Sequence, residues 1–572
     1  MIIAIPLGIG TAIYIAELAP PKVRKYLKSA IEILSGIPSI VFGFFGAYIL
    51  NEWIMNLFNV STGDSWLSGS IVLGIMALPT IISVCEDAIS SVPDYYREAS
   101  LGLGATKWQT ISKVVLPAGM SGITAGIILG VGRAIGETMA VMMVTGNNIV
   151  IPSPITNVFS GIRTITATIA LELGDATGLH QDALFALGII LFLITLLINT
   201  SANLILSRLN KKFQGISEES IFSKIIPTRI KTSNIRENIK KYYRRYKKPA
   251  LLITGVLLLG WVLSTWYGVL PAILISSLIV AIFYLFRRFS SRIKQKVSFI
   301  IITLTTILVL VILVILIGFI VSLGIPAMLQ PGFLTTMSRG PQGGILDAIV
   351  GTLYLIGGTV LFSVPIGILA GIYLSEYAKE NKITKVIRAG IDNLNGTPSI
   401  VFALFGYLFF ILYLKFAGGK YNLLAGQLTL ALMILPTIIK TTEEAIKAVP
   451  QSFRTGSLAL GSSKWQSIYK VVLPAALPGI ITGVILGMGR SAGETAPIIY
   501  TSCVSTQRGL PNSPLDPVNA LTYHIYILLI AYKRSEALVP AGGSALTLLL
   551  LVVILYGIAF LIRNHYKKKK NW

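Results

Sequence analysis

The sequence predicts an all-α, polytopic membrane protein assembled from two homologous membrane domains. Of its 572 residues, 54% are hydrophobic and only 13% charged, with a mean hydropathy of +0.76, a balance foreign to water-soluble globules. The apolar residues gather into about thirteen runs, each near the roughly 20 residues that a bilayer demands. The same pattern of motifs also occurs twice along the chain, which marks duplication of a whole multi-span unit.

The first run, 2–18, lacks a basic leader and a small-residue cleavage site, so it reads as a membrane helix and not a signal peptide. Runs at 31–50, 68–92, 118–145 and 182–206 complete a first domain over 1–206. The stretch 207–249 carries thirteen Lys and Arg between Arg208 and Lys248, against Glu218, Glu219 and Glu237. Such a segment is drawn to anionic lipid headgroups and reads as a basic cytoplasmic linker. Region 250–296 adds a transmembrane hairpin, with spans at 250–266 and 267–286, and a basic loop; Trp261, Trp266 and Tyr267 suit a membrane interface. This hairpin has no counterpart in the first half, and its even span number preserves the orientation of the second. Runs at 297–322, 345–376, 394–414, 423–448, 476–500 and 539–563 make the second domain, 297–572.

The formal charge of +24 sits in short runs beside apolar segments, not on a soluble domain, which argues against nucleic acid as a partner. The basic stretches 207–249, 287–296, 379–388 and 563–570 fall on one side if every span crosses, and that side is cytoplasmic. By the same alternation Met1 lies outside, which implies a further span upstream of it.

Repetition is explicit in the residues. IPLGIGTAIYIAE at 5–17 matches VPIGILAGIYLSE at 364–376, SGIPSIVFGFFG at 35–46 matches NGTPSIVFALFG at 395–406, and LPTII begins at 78 and 435. GRAIGET around Arg133 and Glu137 returns as GRSAGET around Arg490 and Glu494, an offset of 490 minus 133, or 357. A basic residue at the bilayer centre costs roughly 2.5–3.5 kcal/mol on insertion scales, so its recurrence implies a use. Each Arg and Glu stand four apart and would share one helix face, close enough to pair. A guanidinium stays protonated and offers a planar fork that holds phosphate bidentately. These residues therefore point to an anion pathway, with a mere helix-locking ion pair as the bland reading.

Other positions have bland readings too. Gly130, Gly132 and Gly136, like Gly487, Gly489 and Gly493, allow close helix approach, with a pathway-lining role as the alternative. Pro38 with Ser39, and Pro398 with Ser399, read as kinks within spans or as bends facing a substrate. Glu86 and Asp87, like Glu443 and Glu444, read as solvated helix ends, with an ion-paired hinge as the rival reading. Cys85 and Cys503 form no disulfide framework, and His180, His524 and His565 are isolated without HExxH or CxxC spacing, so no metal site is expected.

Between adjacent spans lies EASLGLGATKWQTISKVVLP at 98–117, with TGSLALGSSKWQSIYKVVLP at 455–474 as its counterpart. The first copy, through Glu98, Ala99, Gly104, Val114, Leu116 and Pro117, resembles the EAA signature of ABC importer permeases. The second departs from it at Thr455 and Gly456 but retains Gly461, Leu473 and Pro474. The resemblance implies the type I importer permease fold in both domains and a coupling helix in each copy, including Lys107 and Lys464, that docks on an ATPase subunit. More narrowly, IPSIVFGFFG with GRAIGETMAV resembles PstC-type permeases of phosphate-specific transport, and TPSIVFALFG with GRSAGETAPIIYTS resembles the PstA type. A fusion of the two is thus expected, its PstC-like half lacking a first helix.

The resemblance further implies two ATPase copies, an extracytoplasmic phosphate-binding protein and a cytoplasmic-membrane location. The sequence GSLALGSS at 456–463 has Ser462 where a phosphate-gripping Lys must stand, so ATP and Mg are expected on the partner ATPase. Arg133, Glu137, Arg490 and Glu494 are the expected substrate-pathway residues. Rival readings are an importer of sulfate, molybdate or tungstate, an ion-coupled transporter, and a regulatory scaffold.

Overall fold

The computed structural model describes residues 1–154, 156–213, 290–504 and 509–568. The expected spans at 250–286 and most of the basic linker lie outside the described residues. The first half comprises α1 (Ala4–Leu18), α2 (Pro21–Ser35), α3 (Ser39–Phe58), α4 (Trp66–Ser90) and α5 (Asp94–Gly102). It continues with α6 (Lys107–Ala118), α7 (Met120–Ile135), α8 (Met139–Val144), α9 (Ile165–Glu172) and α10 (Leu179–Phe213). The second half opens on α11 (Ser291–Met328), which has no equivalent among the described residues of the first. It then repeats the plan as α12 (Leu346–Tyr377), α13 (Lys382–Asn395), α14 (Ser399–Tyr413), α15 (Leu423–Lys447) and α16 (Gln451–Ala459). It closes with α17 (Lys464–Gly493), α18 (Ala496–Ile499), α19 (Leu521–Ala531) and α20 (Arg534–Lys568). Among the described residues eight helices are long and apolar enough to cross a membrane, or up to ten if each bent pair counts as one.

The described helices belong to two compact units, one of Met1–Ser90, Ser121–Leu206 and Thr305–Trp572, the other of Ser91–Met120 and Ser207–Leu304. In the first unit α4 and α15 are the central helices of their halves, and glycines set how closely their neighbours approach. A Cβ at Gly8 of α1 would stand 2.6 Å from Ile81 of α4, and one at Gly367 of α12 2.5 Å from Ile438 of α15. Gly130 of α7 likewise faces Ile81, at 2.5 Å, and Gly487 of α17 faces Ile434, at 3.3 Å. The packing reading of Gly130 and Gly487 therefore holds, since without a side chain the backbones gain dispersion contact where lipid offers no hydrophobic drive.

The two halves interlock through their outer helices. Phe319 of α11 packs on Phe44 and Phe45 of α3, with ring centroids 5.1 and 6.0 Å apart. Arg534 at the start of α20 pairs with Glu52 of α3 at 2.8 Å and lies 4.8 Å over the Tyr48 ring. In the pseudo-equivalent place, a side chain at Gly188 of α10 would overlap Leu404 of α14. The last helix of each half thus seats on the other half.

Two local expectations are corrected. Glu86 is not a solvated helix end: its side chain is 2% exposed and accepts from Arg24 at 2.9 Å and Lys28 at 2.6 Å. Glu443 is held likewise by Arg388 at 2.8 Å and Lys447 at 2.6 Å. The cause is the amphipathic α2 and α13, whose basic residues reach the buried ends of α4 and α15. On α2, burial opposes the charge of Lys28, but its hydrogen bonds to Asp87 and Glu86 outweigh that and raise its pKa. The prolines also do more than kink a span. Pro38 and Pro398 are extended caps, with ψ of 144° and 141°, and the chain turns through 100° between α13 and α14. A proline disfavours helical geometry in the residue before it, so the helix must stop there and a new one begin.

Candidate functional site

Each corner delivers a helix N-terminus into the interior of the first unit. Ser39 opens α3 beside Glu137, and Ser399 opens α14 beside Glu494. The carboxylates thereby sit where a helix N-terminus favours negative charge. Behind each Glu, a short helix that hydropathy did not reveal fixes the loop. Thr166 of α9 donates to the Glu137 carbonyl and Thr522 of α19 to the Glu494 carbonyl, each at 3.2 Å.

The expected shared helix face does not survive. α7 ends at Ile135 and α17 at Gly493, so both carboxylates lie beyond the last helical turn. The loosened backbone lets Glu137 cap its own following turn, accepting from the Ala140 amide at 3.4 Å. Arg133 instead donates to Thr80 of α4 at 3.1 Å. Arg490 stands 3.9 Å from Glu494 and donates to the carbonyl and side-chain oxygens of Asn395 at 3.4 and 3.3 Å. Asn395 is held in turn by Thr437, the repeat of Thr80, at 2.7 Å.

The halves meet at these loops. A Cβ at Gly136 would stand 3.1 Å from Cα of Pro398, and one at Gly493 would stand 3.1 Å from Cα of Pro38. Each GRxxGET loop therefore abuts the proline corner of the opposite half, which gives Gly136 and Gly493 a role that packing within one half would not. The four charges interact as one group: Glu494 with Arg490, Glu137 and Arg133; Arg490 with Arg133; Glu137 with Arg133. Two cations and two anions sum to zero, the condition under which such a group is tolerated in a membrane. The group is not sealed, for the Arg490 and Glu494 side chains remain 29% and 19% exposed. Beside it are the buried hydroxyls of Thr138 and Thr495, which are equivalent residues of the repeat. Neither has a hydrogen-bond partner among the described residues.

Residues that sequence reasoning missed are Thr80, Asn395, Thr437, Thr166 and Thr522. Thr80 and Thr437 lay in plain view within the repeated LPTII; Asn395 has no signal, since its counterpart is Ser35.

The remaining candidates are surface residues of the two expected coupling segments. In the second unit, Glu98 and Ala99 lie exposed on α5, and Lys107 is exposed at the start of α6. Between those helices Gly104 has φ 80°, and Thr106 with Gln109 forms a capping box. In the first unit, Gly461 has φ 84° and Ser463 with Gln466 repeats the box. Positive φ at both places calls for glycine. Lys464 is not simply displayed: it donates to the Glu376 carbonyl and lies 4.5 Å over the Tyr377 ring. Arg454 anchors the same turn through Glu376 at 2.7 Å.

A family model described as a binding-protein-dependent transport system inner membrane component matches residues 4–215 and 363–570, one match in each half. The chain belongs to this family. Among relatives of the permease, the phosphate transport system permease protein PstC of Pasteurella multocida is 39% identical over 231 residues, 37% of this chain and 71% of that protein. The PstA homolog of Mycoplasma pneumoniae is 28% identical over 604 residues, spanning 100% of this chain and 86% of that one. The probable ABC transporter permease YqgH of Bacillus subtilis is 43% identical over 199 residues, and this chain spans 63% of its length. The permease is thus a PstC-like and PstA-like fusion, a multi-pass membrane protein and a transport component.

Proposed function

We propose that this permease is the membrane-spanning part of an ATP-driven importer of inorganic phosphate in the cytoplasmic membrane. The observation that carries the reading is the charge group shared by both halves, formed where each GRxxGET loop abuts the opposite proline corner and Arg133 comes within electrostatic reach of Arg490. The names of the relatives supply the substrate.

Both guanidiniums stay charged at any working pH, and their forks match phosphate oxygens. Glu137 and Glu494 hold the anion's place at the N-termini of α3 and α14 while the pathway is empty, and so lower the cost of two buried cations. An arriving phosphate competes with the carboxylates for the guanidiniums, which keeps its binding weak enough for onward release.

Hydrolysis takes place elsewhere. Two copies of an ATPase, carrying ATP and Mg, dock on the coupling segments at Glu98, Ala99, Gly104 and Lys107, and at Gly461 and Lys464. An extracytoplasmic phosphate-binding protein delivers the anion. ATP-dependent uptake of labelled phosphate by vesicles containing the complete complex tests the reading, with sulfate, molybdate and tungstate as competitors. Uptake that persists after ATP depletion, or that sulfate competes away, contradicts it.

A further inference from the structure

The last helices of the two halves carry unlike polar residues at equivalent positions: Asn199 in α10 and Tyr556 in α20, separated by 556 minus 199, or 357. That is the offset between the two arginines. Both side chains sit at glycines next to the charge group. A Cβ at Gly489, one residue before Arg490, would overlap the Tyr556 hydroxyl, and one at Gly36 would stand 2.6 Å from the ring. A Cβ at Gly396 would overlap the Asn199 amide, while Gly132, one residue before Arg133, lies with its Cβ position 3.8 Å from the Asn199 side-chain oxygen. Tyr556 thus bridges Gly489 of its own half and Gly36 of the other; Asn199 does the same with Gly132 and Gly396.

The symmetry is in the position and not in the residue, so backbone packing alone does not account for it. Any small side chain would fill such a glycine slot, whereas these two bring a hydroxyl and an amide. The Tyr556 hydroxyl also lies within electrostatic reach of Arg133. Asn199 lies well along a helix that begins at Leu179, and Tyr556 well along one that begins at Arg534. At 1.5 Å per residue each stands about 30 Å from the start of its helix axis, toward the end that the basic segments mark as cytoplasmic.

We propose that Tyr556 and Asn199 are specificity and positioning residues on the cytoplasmic flank of the arginines, donating the hydrogen bonds that an oxyanion meets as it leaves Arg133 and Arg490. The inference rests on the phosphate-import reading. It makes the exit asymmetric, with a phenol on one side and an amide on the other.

The test is ATP-driven uptake of labelled phosphate by vesicles containing the full complex with Tyr556→Phe, Asn199→Ala or Asn199→Asp, with assembly followed by co-purification of the ATPase. Tyr556→Phe keeps the ring against Gly36 and Gly489 and removes only the hydroxyl. It is expected to lower uptake about tenfold, the worth of one hydrogen bond to a charged group, and to change the preference for phosphate over sulfate. Asn199→Asp puts a carboxylate in the anion's way and is expected to fall well below Asn199→Ala. Wild-type uptake in Tyr556→Phe, or equal uptake in the two Asn199 variants, overturns the proposal. The two positions are read independently, so one that fails to assemble leaves the other decisive. Absence of phosphate uptake by the wild-type complex would instead defeat the import reading.

Discussion

Replacing Arg490 by alanine changes the charge group from neutral to net negative, because Arg133, Glu137 and Glu494 remain. Arg490 and Glu494 lie 3.9 Å apart; at an effective dielectric constant of about 20 their attraction is about 4 kcal/mol. Desolvation of both groups offsets much of that, so the net folding cost is a fraction of it. Transport suffers differently. The variant loses one charged contact to the anion, about 1.5–3 kcal/mol or roughly ten- to a hundredfold, and it also leaves Glu494 uncompensated in the anion's path. The assay is ATP-dependent phosphate uptake in vesicles, alongside thermal denaturation of the purified complex. Arg490→Ala is expected to abolish uptake with assembly intact. Adding Glu494→Gln should recover the melting temperature but not transport. Restored uptake in the double variant would refute the argument, since the arginine would then serve only to neutralise its glutamate.

Other perturbations separate the site from its supports. Gly461→Ala forces an L-residue to φ 84° with nothing within 4 Å of the new methyl, so about 1–2 kcal/mol of backbone strain should act alone, loosening ATPase co-purification. Leu460, 89% exposed beside that glycine, should when changed to Asp weaken ATPase docking with no change in melting temperature. Glu86→Ala removes the acceptor shared by Arg24 and Lys28, but both cations are partly exposed and keep Ser90 and Asp87 as partners, so it should cost only about 1–2 kcal/mol, read as a lower melting temperature of the complex. Arg133→Ala should abolish uptake as Arg490→Ala does, and a clear difference between the two would show an asymmetric pathway.

The repeat made most of this architecture legible, because motifs that return in the same order at a near-constant offset must fold twice in the same way. Hydropathy located the long helices. It failed for α9 and α19, which at 8 and 11 residues are too short to register as spans, yet hold the loops that carry Glu137 and Glu494. Spacing of four residues suggested an ion pair in each copy; Arg490 and Glu494 do meet, at 3.9 Å, but not on one helix face, because the helices stop at Ile135 and Gly493. Nor does any local pattern show that Gly136 faces Pro398 or Gly493 faces Pro38, since these contacts form only when the two halves come together. Asn199 and Tyr556 escaped for a plainer reason: equivalent positions bear different residues, so motif matching passes over them. The buried state of Glu86 depended on Lys28 and Arg24, basic residues of a separate helix distant in the chain.

Whether the two arginines carry the anion is decided by ATP-dependent phosphate uptake of the reconstituted complex, compared among wild type, Arg133→Ala and Arg490→Ala. Uptake is expected from the wild type and from neither variant, with the ATPase still bound in all three. Wild-type uptake in both variants would contradict that role.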